Sequence, residues 1–429
     1  MKKWKGILGF ILIWAVICIG AFVGYMAASV HSGYPSNDKN EQVVLVYATM
    51  NLDMEMHSWI EEYNKEHENC KIEVREYGKD DYDTGLMKLN ADIVSRNAPD
   101  IIDLSDIDVG TYISKGVLED LYPYLKRDFS TKKENFVSGI LQLYEVDEGL
   151  YGIPIGYSLE TLMGKKVIVG ETSQWTVDKM LKLLEQLPAG VSLIDNLGPV
   201  GLLRIVLQMG MDEYVDWENG TCSFNSMEFM KVLKLAESME GIPINGSVEE
   251  NLASDRLLLN RAYISSVEDY KDAFDVFHEE EVVGIGYPSA TGGSSLIYPY
   301  LPTGITSMCK DKEAAWEFVS SLLNEEFQEN HVRFNFPIRV SSLEKEFQQA
   351  MTPDEKRWNL KEDEMLPTQD DVDKLYMLIN TSGGNYVFDK NIWNIIEEEA
   401  EVYFYGKRTI EETVEMIQNR VEVYLSESY

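Results

Sequence analysis

Two short segments concentrate side chains able to hydrogen-bond hydroxyl groups. Thr49, Met50 and Asn51 follow one apolar run, and Ser105 and Asp106 follow another. Asn51 and Asp106 suit a second role equally well, as caps on the helices that come next. Other chemistries call for groupings the sequence lacks. It holds no GxSxG, HExxH or phosphate-binding glycine loop. Asp103, Asp106 and Asp108 lack the further oxygens and the glycine bend of a calcium loop. The five histidines show no i,i+4 pair and the four cysteines no CxxC pair, so neither metal nor cofactor is expected. Carboxylates are abundant, and glycoside hydrolysis needs two of them across a cleft. Runs such as Glu397-Glu398-Glu399 read instead as solvated helix faces, so binding without catalysis is the expectation.

The elements that would position these groups alternate. Val43–Tyr47 is a continuous apolar run, as a buried parallel strand requires. Asp53 can cap a helix whose apolar face is Met56, Trp59, Ile60 and Tyr63. Lys71–Glu76 alternates as a strand, a second helix carries Leu86, Leu89, Ile93 and Val94, and Asp100–Leu104 reads as a third strand. This is a doubly wound α/β pattern, in which ligands bind beyond the carboxyl ends of the strands. Asn51, Ser105 and Asp106 stand at those ends. At the far end of the chain, Thr409 and Glu412 form a capping box. It opens a docking helix with Ile410, Val414, Ile417, Val421 and Tyr424 on one face.

With 429 residues, the chain suits two lobes. Its net charge of −35 argues against nucleic acid as a partner. Cys18 lies in an apolar run, so at most one bridge can join two of Cys70, Cys222 and Cys309. Lys2, Lys3 and Lys5 precede an uncharged stretch, Gly6–Ala28, which as a helix would extend roughly 34 Å and could cross a bilayer. It reads as an uncleaved signal anchor, or as a long signal peptide cut near Ala27-Ala28-Ser29. Both readings put the rest of the chain outside the membrane. Residues 31–41 read as a linker.

Several segments resemble one family. Asn97-Ala98-Pro99-Asp100-Ile101-Ile102 is similar to a small-residue–Pro-Asp-Ile segment. Ser114–Leu121 is similar to a "KG-L-x-DL" stretch, and Gly149–Pro154 to a "G-x-YGIP" hinge entry. Trp175-Thr176 opens a helix as family members do. Ala314-Ala315-Trp316-Glu317-Phe318 and Phe336-Pro337 complete the series. Together, across residues 43–429, they resemble the extracellular solute-binding proteins of ABC importers, of the sugar-binding, maltose-binding-protein-like type. The resemblance implies an α/β, two-lobed periplasmic-binding-protein-like fold with a hinge, preceded by one N-terminal transmembrane or signal helix (residues 1–30). Lobe 1 would comprise 42–153 and 283–333, and lobe 2 would comprise 154–282 and 334–429.

The resemblance also implies a role and a site. The expected role is capture of a carbohydrate in the interlobe cleft and delivery to ABC permease subunits by a monomeric, membrane-anchored ectodomain. A ligand sensor of the same fold is the alternative, and a glycosidase a further one. By position in the family pattern, Asn51 would hold a sugar hydroxyl, and Ser105 and Asp106 lie in the loop that carries sugar-binding groups. Leu104 stands where that loop has its stacking aromatic, which puts maltodextrin specificity in doubt. Tyr157 and Ser158 would reach the ligand just past the hinge proline, and Tyr270 lies next to Asp269 at a loop where relatives place Trp. Trp393 would stack on a sugar ring. Among other aromatics, Trp59 and Trp316 sit on apolar helix faces and read as core, and Trp175 as a hydrophobic staple.

Overall fold

A computed structural model describes residues 42–128, 132–195, 197–217, 219–239, 246–277, 281–352, 366–383 and 389–428. The expected N-terminal helix and linker lie outside the described residues. No helix among the described residues is long and apolar enough to cross a membrane.

The chain opens with the alternation read from its sequence: β1 (Val43–Thr49), α1 (Met54–Glu66), β2 (Cys70–Glu76), α2 (Tyr82–Val94) and β3 (Ile101–Asp103). β1 pairs in parallel with both β2 and β3. Asp53 caps α1 by accepting from the amides of Glu55 and Met56, and α1 buries Met56, Trp59, Ile60 and Tyr63. The second helix differs at one residue. Leu89 and Ile93 are buried, but Val94 is 84 % exposed. Leu89 and Ile93 lie one helical turn apart on a shared stripe, and Val94 lies about 100° round from Ile93.

A second sheet forms around one long strand, β4 (Gly156–Lys165). After it come α3 (Pro199–Gly210), α4 (Met227–Glu237), β5 (Leu259–Ile264), α5 (Val267–Asp275), β6 (Val282–Gly284) and β7 (Leu296–Tyr300). β8 (Thr303–Ile305) returns to the first sheet, antiparallel to β3. α6 (Lys312–Ser321), β9 (Phe336–Pro337), α7 (Val340–Ala350), α8 (Gln369–Thr381), α9 (Lys390–Phe404) and α10 (Ile410–Ser428) complete the described elements used below. β4 pairs antiparallel with β5 and β9 along one edge and with β6 and β7 along the other. The chain crosses between the sheets at two adjacent places, where the Ile153 and Thr303 backbones bond each other and the Ile155 amide donates to the Tyr300 carbonyl.

Two hydrophobic clusters result. The first contains β1–β3 and α6, and continues through Tyr157 and Phe336 to the far side of β4, where α5, α7 and α8 pack. The second joins α3, α4, α9 and α10 to the near side through Leu162, Leu259 and Leu296. The expected capping box is present, with the Thr409 hydroxyl and Glu412 carboxylate each receiving the other's amide. Its helix buries Val414, Ile417 and Val421. Trp59, Trp175 and Trp316 are all core. Cys70, Cys222 and Cys309 are free thiols.

Candidate functional site

The carboxyl ends of β1 and β3 meet through Asp103. Its carboxylate accepts from the Thr49 hydroxyl at 2.9 Å, and from the Ser105 amide and hydroxyl at 3.0 and 2.6 Å. Burial raises the Asp103 carboxyl above its ordinary value, against the lowering effect of those three bonds. Asp103 therefore stitches two strand ends together, and the Ser105 hydroxyl is part of the stitch. Asn51, Ser105 and Asp106 are exposed around it. The capping role falls to their neighbours, Asp53 for α1 and Asp108 for the short helix Val109–Ser114.

The second sheet contributes a polar face. Directly opposed residues in an antiparallel pair share a face, and neighbours along a strand alternate. The register sets Glu160 opposite Tyr263 and Leu296, and Ser158 opposite Tyr298. Ser158, Glu160, Arg261, Tyr263, Tyr298 and Tyr300 thus lie on one side of the sheet. Tyr157, Leu159, Met163, Ala262, Ile264 and Ile297 lie on the other, within the first hydrophobic cluster.

Over the polar side, α3 and the loop before it enclose a cavity of about 360 Å³. Glu160, Asp195, Arg204, Gln208, Arg261, Tyr287 and Tyr298 are among its lining residues. Gly201, Arg204, Ile205 and Gln208 follow helical spacing, so one face of α3 forms a wall. Glu160 accepts from the Tyr287 hydroxyl and, at 3.3 Å, from that of Tyr298. Burial and the Glu160 charge push the Tyr298 phenol up to about 12 and raise that of Tyr287 further. Both phenols stay protonated and donate to Glu160, leaving their oxygens to accept from a ligand. The Ser158 hydroxyl bonds the Tyr263 phenol. Tyr263 and Tyr298 are 54 % and 38 % exposed, their ring centroids 6.1 Å apart. Two residues along the same face of β7, the Tyr300 phenol is raised by burial and by the nearby Asp53 carboxylate at the mouth of β1. A spacing of about 7 Å along the strand separates it from Tyr298, so the cavity wall runs toward the β1 loop.

The sequence-derived candidates are spread over these surroundings. Asn51, Ser105 and Asp106 gather at the first sheet, and Ser158 stands on the cavity side of the second. Tyr157 is 0 % exposed, packed against Phe336 on the opposite side, and its hydroxyl has no partner among the described residues. Tyr270 is 3 % exposed and packs on Phe274 within α5, while Asp269 accepts from the amide and hydroxyl of Ser265. Trp393 is 3 % exposed in the second core. It stands one layer behind the cavity, with the Arg204 guanidinium 5.5 Å from its ring. The lining residues Glu160, Arg204, Arg261, Tyr287 and Tyr298 went unread in the sequence. The alternation in Leu259–Ile264, where Arg261 and Tyr263 alternate with Ala262 and Ile264, is the signal that could have flagged two sides of a strand. Among the described residues, no three His, Cys, Asp or Glu side chains group to hold a metal.

Comparison with known proteins gives one family and a set of distant structures. No curated protein sequence matches the chain. An ABC substrate-binding protein from Listeria monocytogenes, solved with cycloalternan, is 16 % identical with a TM-score of 0.56, covering 90 % of this chain and 100 % of that one. The sugar-binding protein MalE from Xanthomonas citri is 15 % identical with a TM-score of 0.58, covering 90 % and 98 %. A de novo designed cysteine esterase is 17 % identical with a TM-score of 0.60, covering 91 % and 99 %. At such identities these likenesses establish the fold and leave activity to other observations. The model of the family described as "Bacterial extracellular solute-binding protein" matches residues 58–352. With its mixed α/β fold and a polar, tyrosine-lined cavity against the central sheet, the chain belongs to the bacterial extracellular solute-binding proteins.

Proposed function

We propose that the solute is a carbohydrate, captured between two lobes and passed to the permease subunits of an ABC importer. Residues 42–153 with 283–333 would act as one lobe and 154–282 with 334–429 as the other, closing by hinge motion. The observation that carries this reading is the cavity face of the central sheet. Sugars present flat C–H patches edged by hydroxyls, and a matching site pairs aromatic faces with charged and polar groups. Tyr287 and Tyr298 supply the aromatic component, with Tyr263 beside Tyr298 on the same face of the sheet, and Glu160, Arg204, Arg261 and Gln208 the polar one. Asn51, Ser105 and Asp106 would contribute from the mouth of the first sheet. Ser158 orients Tyr263, and Trp393 backs Arg204. Tyr157 and Tyr270 serve the site by holding the sheet and α5 in place. The two sugar-binding structural neighbours above agree with this ligand class. Residues 1–30 would tether the protein to the outer face of the membrane.

The test is thermal unfolding of the purified chain against a broad panel of glycans, peptides, amino acids and metals. A glycan present at about 100 times its dissociation constant adds roughly 2.7 kcal/mol of stability. The glycan should be recovered unchanged. Stabilisation by peptides or metals alone would reject the carbohydrate reading, and consumption of the glycan would make the protein an enzyme.

A further inference from the structure

The cavity holds two arginines in a chain where 38 Lys and Arg face 73 Asp and Glu. An overall charge of −35 sets up a field that disfavours anions at a distance, so cations converging on one cavity act locally against it. Resting on the carbohydrate reading above, we infer that the solute is an acidic glycan whose uronic acid carboxylate is bound by Arg204 and Arg261.

The two guanidinium groups reach the cavity from different walls. Arg204 comes from the exposed side of α3, and Arg261 from β5. Arg204 is held in place before any ligand arrives, its guanidinium lying over the Trp393 ring at 5.5 Å. Ordering a long side chain during folding rather than during binding removes that cost from the binding step. Arg261 is exposed and makes no ion pair with any described residue. The planar guanidinium fork matches a carboxylate in bidentate fashion, which a neutral hydroxyl cannot exploit as fully.

Two acids share the cavity. Both oxygens of Glu160 already accept from Tyr287 and Tyr298, and Asp195 lies exposed at the loop before α3. The tyrosine oxygens are left to accept from ring hydroxyls. The arginines are the cavity groups matched to a negative charge, so the carboxylated ring belongs beside them.

The experiment is calorimetric titration of the purified chain with oligouronides of galacturonic, glucuronic and mannuronic acid, beside their neutral parent oligosaccharides and sulfated neutral ones. An acidic oligosaccharide should bind at least about tenfold more tightly than its neutral parent, as loss of charge-assisted hydrogen bonds implies. Its affinity should fall as salt rises. Arg204→Gln and Arg261→Gln should each remove about tenfold or more from the acidic ligand and much less from the neutral one. Arg204→Lys, which keeps the charge and loses the fork, should fall between. Ligand-free melts identify a variant that fails to fold, and the exposed Arg261→Gln then decides. Equal binding of acidic and neutral forms, or preference for the sulfated set, overturns the uronate assignment and leaves the carbohydrate reading standing. No binding by any glycan overturns both.

Discussion

The phenol of Tyr298 donates to the carboxylate of Glu160 across the cavity face of the central sheet, at 3.3 Å. Tyr287 donates to the other oxygen of the same carboxylate. One acid thereby sets the direction of two tyrosine hydroxyls that reach it from separate segments of the chain.

Removing that acid should disorder both phenols. Glu160→Ala is expected to weaken solute binding by about tenfold or more, since each phenol loses a charge-assisted bond. Tyr298→Phe should weaken it less. Because the three groups act together, a double variant of Glu160 and Tyr298 should lose less than the sum of the single changes. Calorimetric titration of the four proteins measures this directly, and simple additivity would show that Glu160 does not orient Tyr298.

Trp393 ties the second core to Arg204. Trp393→Ala should lower stability by about 3–5 kcal/mol in denaturant unfolding, as truncation of a buried aromatic does. Trp393→Phe should retain more of the stability and still weaken binding, because the guanidinium prefers the larger ring face. A Trp393→Ala protein with an unchanged melting point would place the ring outside the core.

Glu346 on α7 supplies a pH signature. Burial, with a smaller contribution from Glu268, pushes its carboxyl up to about 8. The folded state therefore holds the Glu346 proton to higher pH than the unfolded chain does. Its contribution to stability is complete below the unfolded value near 4.5 and is lost as pH rises through about 8. Glu346→Gln, which cannot ionise, should be more stable than the parent above pH 8, by an amount on the order of a few kcal/mol. The difference should shrink toward pH 5. Urea unfolding of both proteins from pH 5 to 9 checks the sign, and a constant difference would remove Glu346 as the cause.

Gly293 holds the loop that carries Tyr287. A Cβ there would lie 1.7 Å from the Ile285 carbonyl oxygen, so the backbone must move. The Tyr287 and Ser294 backbones bond each other in the same turn, so the shift reaches Tyr287. Gly293→Ala is expected to cost about 1–3 kcal/mol of stability, as overpacking does, and to weaken solute binding as well. Intact binding in a destabilised Gly293→Ala protein would show that Tyr287 does not depend on the loop.

The sequence by itself determined the first α/β unit, the caps at Asp53 and at Thr409 with Glu412, and the apolar face of the last helix. These features depend on periods and spacings of a few residues, which are local and survive without knowledge of the fold. Family segments spread along the chain added the overall fold class. Tertiary structure alone decided the cavity. Glu160, Arg204, Arg261, Tyr287 and Tyr298 come from five separate segments, with Glu160 and Tyr298 138 residues apart. Their meeting depends on which strand pairs with which, and in what register. The same register separates Tyr157 from Ser158. Side chains alternate across a strand with a period of two, and non-local pairing assigns each side to core or to cavity. Tyr157 therefore packs on Phe336 while its neighbour bonds Tyr263 on the cavity side, an outcome no local pattern around either residue could have settled.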